Sequence, residues 1–178
     1  MAKIREGDLI KQTLEGLKRI LDSHGAFPLI QPGGFVLEDP YFHFNDPATE
    51  KEIADLENFF KVKFPNDYKE FLRLHNGIDI IDGIEILSTN DVIKYNEAQD
   101  LPEECILIGY HFDGRYVIDT KRYSNGLDYM FFLDSIDSFE EAENLGSNFE
   151  IWFDRLLSSN GVKYWEINRD VKGYYENI

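Results

Sequence analysis

The chain has 178 residues, of which 43% are hydrophobic and 15% aromatic, and it carries a net charge of −16 at pH 7. That is enough apolar material for one substantial core, and no linker rich in proline, glycine or serine divides it, so a single domain is expected. The negative charge excludes a polyanionic partner, because such a field repels DNA, RNA and anionic lipid. Asp8 is placed to cap a first helix whose apolar positions Ile10, Leu14, Leu17 and Leu21 alternate by three and four and end at Gly25. Residues 26–47 mix prolines with aromatics and predict an irregular cover with short extended pieces. Thr49 and Glu52 have the spacing of a capping box, and Ile53, Leu56 and Phe60 form the apolar stripe of the helix behind it. Phe64-Pro65 is a hinge into a second helix carrying Tyr68, Phe71, Leu72 and His75, with Gly77 free to take the left-handed conformation beyond its end.

Further along, Ile84 to Leu87 reads as a short strand, followed by a helix from about Asn90 to Ala98 capped by Ser88 or Thr89. Cys105–Tyr110, Arg115–Asp119 and Tyr129–Leu133 read as three strands. Asp113-Gly114 is the expected turn of the first hairpin, and Asn125-Gly126 falls in the second connection. A closing helix is predicted from Ser147, with Glu150 three residues on and Phe149, Trp152, Phe153 and Leu156 as its buried face. Beyond it, Val162, Tyr164, Trp165, Tyr174 and Tyr175 suggest a tail that docks. Helices flank a run of consecutive strands, which predicts an α+β domain on a mainly antiparallel sheet.

The residues Phe64, Pro65, Asp67, Tyr68, Phe71, Leu72, Asn76 and Gly77 resemble the opening motif of the SUKH superfamily, with Phe64 standing where leucine is usual. The stretch from Glu104 to Thr120 looks like that family's central hairpin, and Ser147 to Leu157 like its closing helix. The resemblance implies a SUKH-like fold with the family core at 47–157, an N-terminal helix and cover segment at 1–46, and a docked tail at 158–178. It also implies a class of function, since members are mostly bacterial immunity proteins that bind a toxin encoded beside them. A related domain occurs in fungal regulators of cell-wall synthesis, so a regulatory protein-interaction module is the alternative, and an uncharacterised hydrolase ranks third.

No apolar run approaches the length of a membrane span, and Lys3, Arg5, Glu6 and Asp8 interleave with small and apolar residues instead of forming a leader. Cys105 is the single cysteine and no Asn-x-Ser/Thr acceptor occurs, both of which fit a reducing, cytoplasmic setting. The charge is unevenly distributed: residues 74–154 carry four basic and eighteen acidic groups. Between Tyr123 and Asp154 there is neither lysine nor arginine. Asp128, Asp134, Asp137, Glu140, Glu141 and Glu143 are therefore the candidate partner-binding residues, for a basic protein toxin. Phe139, Ala142 and Leu145 recur at a spacing that suits a short helix with these carboxylates outside. Lys121, Arg122 and Arg155 are the nearby cations that could pair with them.

Catalytic chemistry finds no foothold in this inventory. His24, His43, His75 and His111 make no metal-binding pattern; His24 and His75 sit beside helix ends, where an imidazolium meets the helix dipole. Cys105 opens an apolar strand beside Glu103 and Glu104, a setting that disfavours a thiolate. Asp79, Asp82 and Glu85 around Gly83 lack calcium-loop spacing and read as a turn at a strand edge. Gly33-Gly34 lacks the context of a phosphate-binding loop. No catalytic residue, cofactor, metal or nucleic-acid ligand is expected.

Overall fold

The computed structural model describes residues 6–30, 34–39, 42–81 and 83–166. Its spine is a seven-stranded antiparallel meander in which every strand pairs with its neighbours in the sequence. The strands are β3 (His43–Phe44), β4 (Ile78–Ile81), β5 (Ile84–Ile86), β6 (Cys105–His111), β7 (Gly114–Asp119), β8 (Met130–Leu133) and β9 (Glu143–Asn144). The cover segment supplies β3 and a separate hairpin of β1 (Phe27–Ile30) and β2 (Val36–Asp39). The α+β class read from the sequence is the observed one. Strand β4 was not anticipated, although Asp82-Gly83 between two isoleucine-rich runs is a hairpin signal.

Helix α1 (Asp8–His24) buries Ile10, Leu14 and Leu17 and ends where Gly25, in the left-handed conformation, donates its N–H to the Leu21 carbonyl at 2.8 Å. Helix α2 (Glu50–Phe60) opens with the expected capping box: Glu52 N donates to Thr49 Oγ1 at 3.2 Å, and Thr49 N donates to Glu52 Oε2 at 2.7 Å. The hinge to α3 (Asn66–Leu74) is locked by Glu57, whose carboxylate accepts from Lys63 at 2.6 Å, Lys69 at 3.1 Å and the Phe64 N–H at 3.2 Å. Burial pushes the Glu57 carboxyl up, but the hydrogen bonds from Lys63 and Lys69 outweigh it and hold the group below its ordinary value. Gly77 has φ +96°, and a Cβ there would lie 2.8 Å from both the Ile86 carbonyl and the Ser88 amide, so no other residue fits this crossing into β4.

Helix α4 (Thr89–Asn96) is capped by Ser88, which accepts from Asp91 N at 3.2 Å. At its other end, Asn96 repairs an irregularity in β6, donating to the Leu107 carbonyl at 2.8 Å and accepting from its N–H at 2.9 Å. The second connection contains a short helix α5 (Thr120–Ser124) that sequence periodicity is too brief to reveal; Asp119 caps it by accepting from Arg122 N at 2.8 Å. Helix α6 (Phe149–Ser158) lays Phe149, Trp152 and Phe153 against Phe71 of α3 and Tyr116 of β7, with Trp152 and Tyr116 ring centroids 4.5 Å apart. After α6, Trp165 packs edge-on against His111 at 6.1 Å and tilted against Phe132 at 5.2 Å. Tyr174 and Tyr175 of the expected tail lie outside the described residues.

The start of α6 differs from the sequence reading. Asn148, not Ser147, is the cap, accepting from Ile151 N at 2.9 Å. The next two N–H groups go to side chains from elsewhere: Phe149 N donates to Tyr129 Oη at 3.1 Å and Glu150 N to Asp67 Oδ2 at 3.0 Å. Asp67 also accepts from the Tyr129 hydroxyl and, at 2.8 Å, from Tyr68 N. Glu150 does not reach back to its own cap. Its carboxylate instead accepts from Gly7 N at 2.9 Å and Leu9 N at 3.2 Å, supplying the start of α1 with the acceptor that Asp8 was expected to provide.

Two tests follow from this packing. Phe64 is 1% exposed and its ring meets those of Phe60 and Tyr68, so Phe64→Ala is expected to lower unfolding stability by about 3–5 kcal/mol, measured by denaturant titration. Burial raises the Asp67 carboxyl from 3.8 to about 6, against the opposing hydrogen bonds from Tyr129, Glu150 and Tyr68. A raised folded-state value stabilises most below the unfolded value and loses that contribution as pH rises through about 6. Asp67→Asn lacks this titration, so the stability of the wild type relative to the variant should rise by on the order of 2 kcal/mol between pH 7 and pH 4, read from denaturation curves at both values.

Candidate protein-interaction surface

Because successive strands of the meander reverse direction, the β4–β5, β6–β7 and β8–β9 connections emerge at one end of the sheet. That end gathers most of the acidic candidates. Asp134, Asp137, Glu140 and Glu141 all lie in the β8–β9 connection, and Glu143 stands on the edge strand β9 that follows. Asp128 lies apart from them, before the first residue of β8, separated by four residues of extended chain, about 13 Å. Its carbonyl accepts from Arg122 Nε at 2.6 Å.

The connection is not the short helix expected from Phe139, Ala142 and Leu145. It makes one 3-10 turn, Phe139–Glu141, in which Ser138 and Glu141 form a reciprocal cap, and then enters β9. Ladder pairing decides this: Asn144 and Glu143 face Phe131 and Phe132, and Leu145 N donates to the Met130 carbonyl at 2.9 Å. A helix of two turns, marginal by itself in water, does not compete with those bonds. Of the cations considered from the sequence, Lys121 pairs with Glu104 at 3.5 Å and Arg155 lies over the Tyr164 ring. Among the described residues, Lys163 reaches the cluster, 3.3 Å from Asp134 Oδ1.

Beside the 3-10 turn is a cleft of about 440 Å³, walled by Leu101, Pro102 and Phe139 and rimmed by Asp100, Asp137 and Glu140. Arg115 forms part of its lining, donating to Gln99 Oε1 at 2.9 Å and to the Asp134 carbonyl at 3.3 Å. The arrangement suits the aliphatic stem and charged head of a basic side chain. Apolar groups also stand at this end of the sheet. Ile136 is 92% exposed among the carboxylates, and Phe112 is 43% exposed at the tip of the β6–β7 hairpin.

That hairpin turns one residue earlier than the sequence suggested, on Phe112 and Asp113, with Gly114 already paired to His111. Gly114 is required there because the Phe132 ring fills the space a Cβ would need. The left-handed φ of +55° then falls on Phe112, a conformation costing roughly 1–2 kcal/mol for a residue with a Cβ. Ser135 Oγ donates to Asp113 Oδ2 at 3.4 Å, which joins the hairpin tip to the acidic connection.

The groups that could support catalysis are placed structurally. His111 is buried against Tyr116, and burial with Lys163 nearby pushes it down to about 4, so it is neutral at pH 7. His75 likewise is held below its ordinary value by burial and by Lys18, and its Nδ1 meets the Asn45 carbonyl at 3.0 Å. Burial thus works against the imidazolium expected for His75 at the end of α3, while the Asn45 carbonyl opposes that shift. Burial, with Asp119 and Glu104 close by, pushes the Cys105 thiol up to about 12. Among the described residues no group of three or more His, Cys, Asp or Glu is placed to hold a metal ion, and no helix is long and apolar enough to cross a membrane.

A meander of seven strands with helices before, within and after it, and with the Phe-Pro hinge between α2 and α3, defines an α+β domain. The model of the SMI1 / KNR4 family (SUKH-1) matches residues 47–155, and the chain belongs to that family, one of immunity and regulatory proteins that work through protein–protein contacts. It is 62% identical over 142 residues to YnaB of Bacillus subtilis (strain 168), an alignment covering 80% of this chain and 99% of that protein. It is 28% identical over 173 residues to YobM of the same organism, covering 89% of this chain and 92% of YobM.

The donor geometry yields a direct test. Calorimetric titration with zinc, calcium, magnesium or ATP is expected to give no stoichiometric heat, and a one-to-one heat with any of them would reopen an enzymatic reading.

Proposed function

We propose that this protein is an immunity protein of the cytoplasm, which binds a cognate toxin and neutralises it by contact rather than by catalysis. The observation that carries the proposal is the gathering of Asp134, Asp137, Glu140, Glu141 and Glu143 into one connection and its edge strand at a single end of the sheet, where Lys163 meets the Asp134 carboxylate and Arg115 its carbonyl. A solubility device needs no such segregation, whereas a directional field accelerates encounter with a partner of opposite charge. The toxin that fits is basic, and a nuclease-type polymorphic toxin with a cationic substrate groove has that character. Family membership supports the class of function, because binding a partner protein is how this family works.

The decisive experiment combines co-expression rescue from the toxin encoded next to the gene with stopped-flow association at two ionic strengths. Exposed charges act over a Debye length of about 10 Å at 0.1 M salt. Wild-type association should therefore slow as salt rises, and replacement of the five carboxylates by their amides should slow it by about tenfold at low salt. The melting temperature should fall only modestly, since Glu140 and Glu141 are exposed and the half-buried Asp134 loses one surface ion pair, to Lys163. Association that is independent of salt in both proteins would leave the acidic end without a role in binding.

A further inference from the structure

We infer that Phe112 and Ile136 are the apolar anchors of the docking surface, and that the partner presents an apolar recess rimmed by lysine and arginine. The inference rests on the immunity reading and names the chemistry of its contact. Carboxylates on a surface set the rate and direction of encounter, but they hold a complex weakly while water reaches them. Lasting complexes depend on a few large side chains buried at the centre of a polar ring that excludes water. This end of the sheet sets exposed apolar side chains and carboxylates side by side before any partner arrives. Ile136 is 92% exposed, and its neighbours in the chain include Asp134 and Asp137. Phe112 is 43% exposed on the adjoining turn, linked to Ser135 through Asp113 at 3.4 Å.

The backbone at Phe112 is an independent observation. Its φ of +55° belongs to glycine or asparagine, and Gly83, whose carbonyl accepts the Phe112 N–H, packs close enough that a Cβ on it would lie 2.8 Å from the Phe112 ring. Glycine or asparagine would hold this backbone with less strain, and beyond its contacts with Gly83 and His111 the ring still leaves 43% of Phe112 exposed to a partner. Charge selects what that something is. A second copy of this chain would bring its own five carboxylates against these, whereas a surface bearing lysine and arginine around an apolar recess complements both features at once.

The probe is the inactivated C-terminal toxin domain encoded beside the gene, captured on a biosensor with the full-length protein in solution. Ile136→Ser and Phe112→Asn are each expected to raise the dissociation rate at least tenfold and leave the association rate within threefold; amide replacement of the carboxylates should do the reverse. Phe112→Asn should melt at the same temperature as the wild type or higher, which separates lost contact from lost fold. Wild-type binding that both anchor variants preserve within twofold would overturn this inference alone. No binding by the wild type would overturn it together with the immunity reading. A wild-type dimer that Ile136→Ser dissociates would also overturn it, by assigning the surface to a second copy of the chain.

Discussion

The Asp67 carboxylate ties together parts of the chain that are far apart in sequence. It belongs to the first turn of α3, yet it accepts from the hydroxyl of Tyr129, just before β8, and from the Glu150 amide at the start of α6. Glu150 then spends its own carboxylate on the first turn of α1, through Gly7 and Leu9. Each of these bonds satisfies a helix-terminal N–H that would otherwise be buried without a partner, or fixes a group that does so, and leaving such groups unpaired is far more damaging than the modest net value of each bond suggests. The cluster sets the relative positions of three helices and of the strand from which the acidic connection departs. Its acids have raised pKa values for the same reason it is effective: burial removes water as a competitor and disfavours the charged carboxylates.

The aromatic core works with this cluster. Phe149 and Phe153 of α6 stand against Phe71 of α3, and Trp152 stands against Tyr116 of β7, so the helix whose start is pinned by polar bonds is held along its length by packing. What remains outward at the far end of the sheet is a different kind of chemistry, with carboxylates, two exposed apolar side chains and a strained turn. A rigid sheet presenting variable turns is a common way to place recognition groups, because the scaffold's stability does not depend on what the turns carry.

Much of the fold was legible in the residues. The Thr49–Glu52 capping box, the Phe64-Pro65 hinge, the stripes of α1 and α6 and the strands at β6, β7 and β8 follow from rules that act over a few residues, and the motif from Phe64 to Gly77 pointed to the family that residues 47–155 match. Three of the errors share one cause. Asp8 was not the acceptor for α1, Ser147 did not cap α6, and the acidic segment became a 3-10 turn and a strand because the competing partners, Glu150, Tyr129 with Asp67, and Met130, come from distant parts of the chain. Burial disfavours the charge expected on His75, and no local pattern reports that burial.

Candidate surface residues divide in the same way. The sequence by itself determined that an acidic stretch without lysine or arginine follows Tyr123, because charge is a property of composition, and that α+β architecture would carry it, because periodicity and turn chemistry are local. Only the tertiary structure decided which carboxylates share an end of the sheet, that Asp128 is not among them, that Lys163 reaches Asp134, and that Phe112 and Ile136 stand beside the acids. Those are consequences of strand direction and register, and register is settled by which face each strand can bury against α3 and α6.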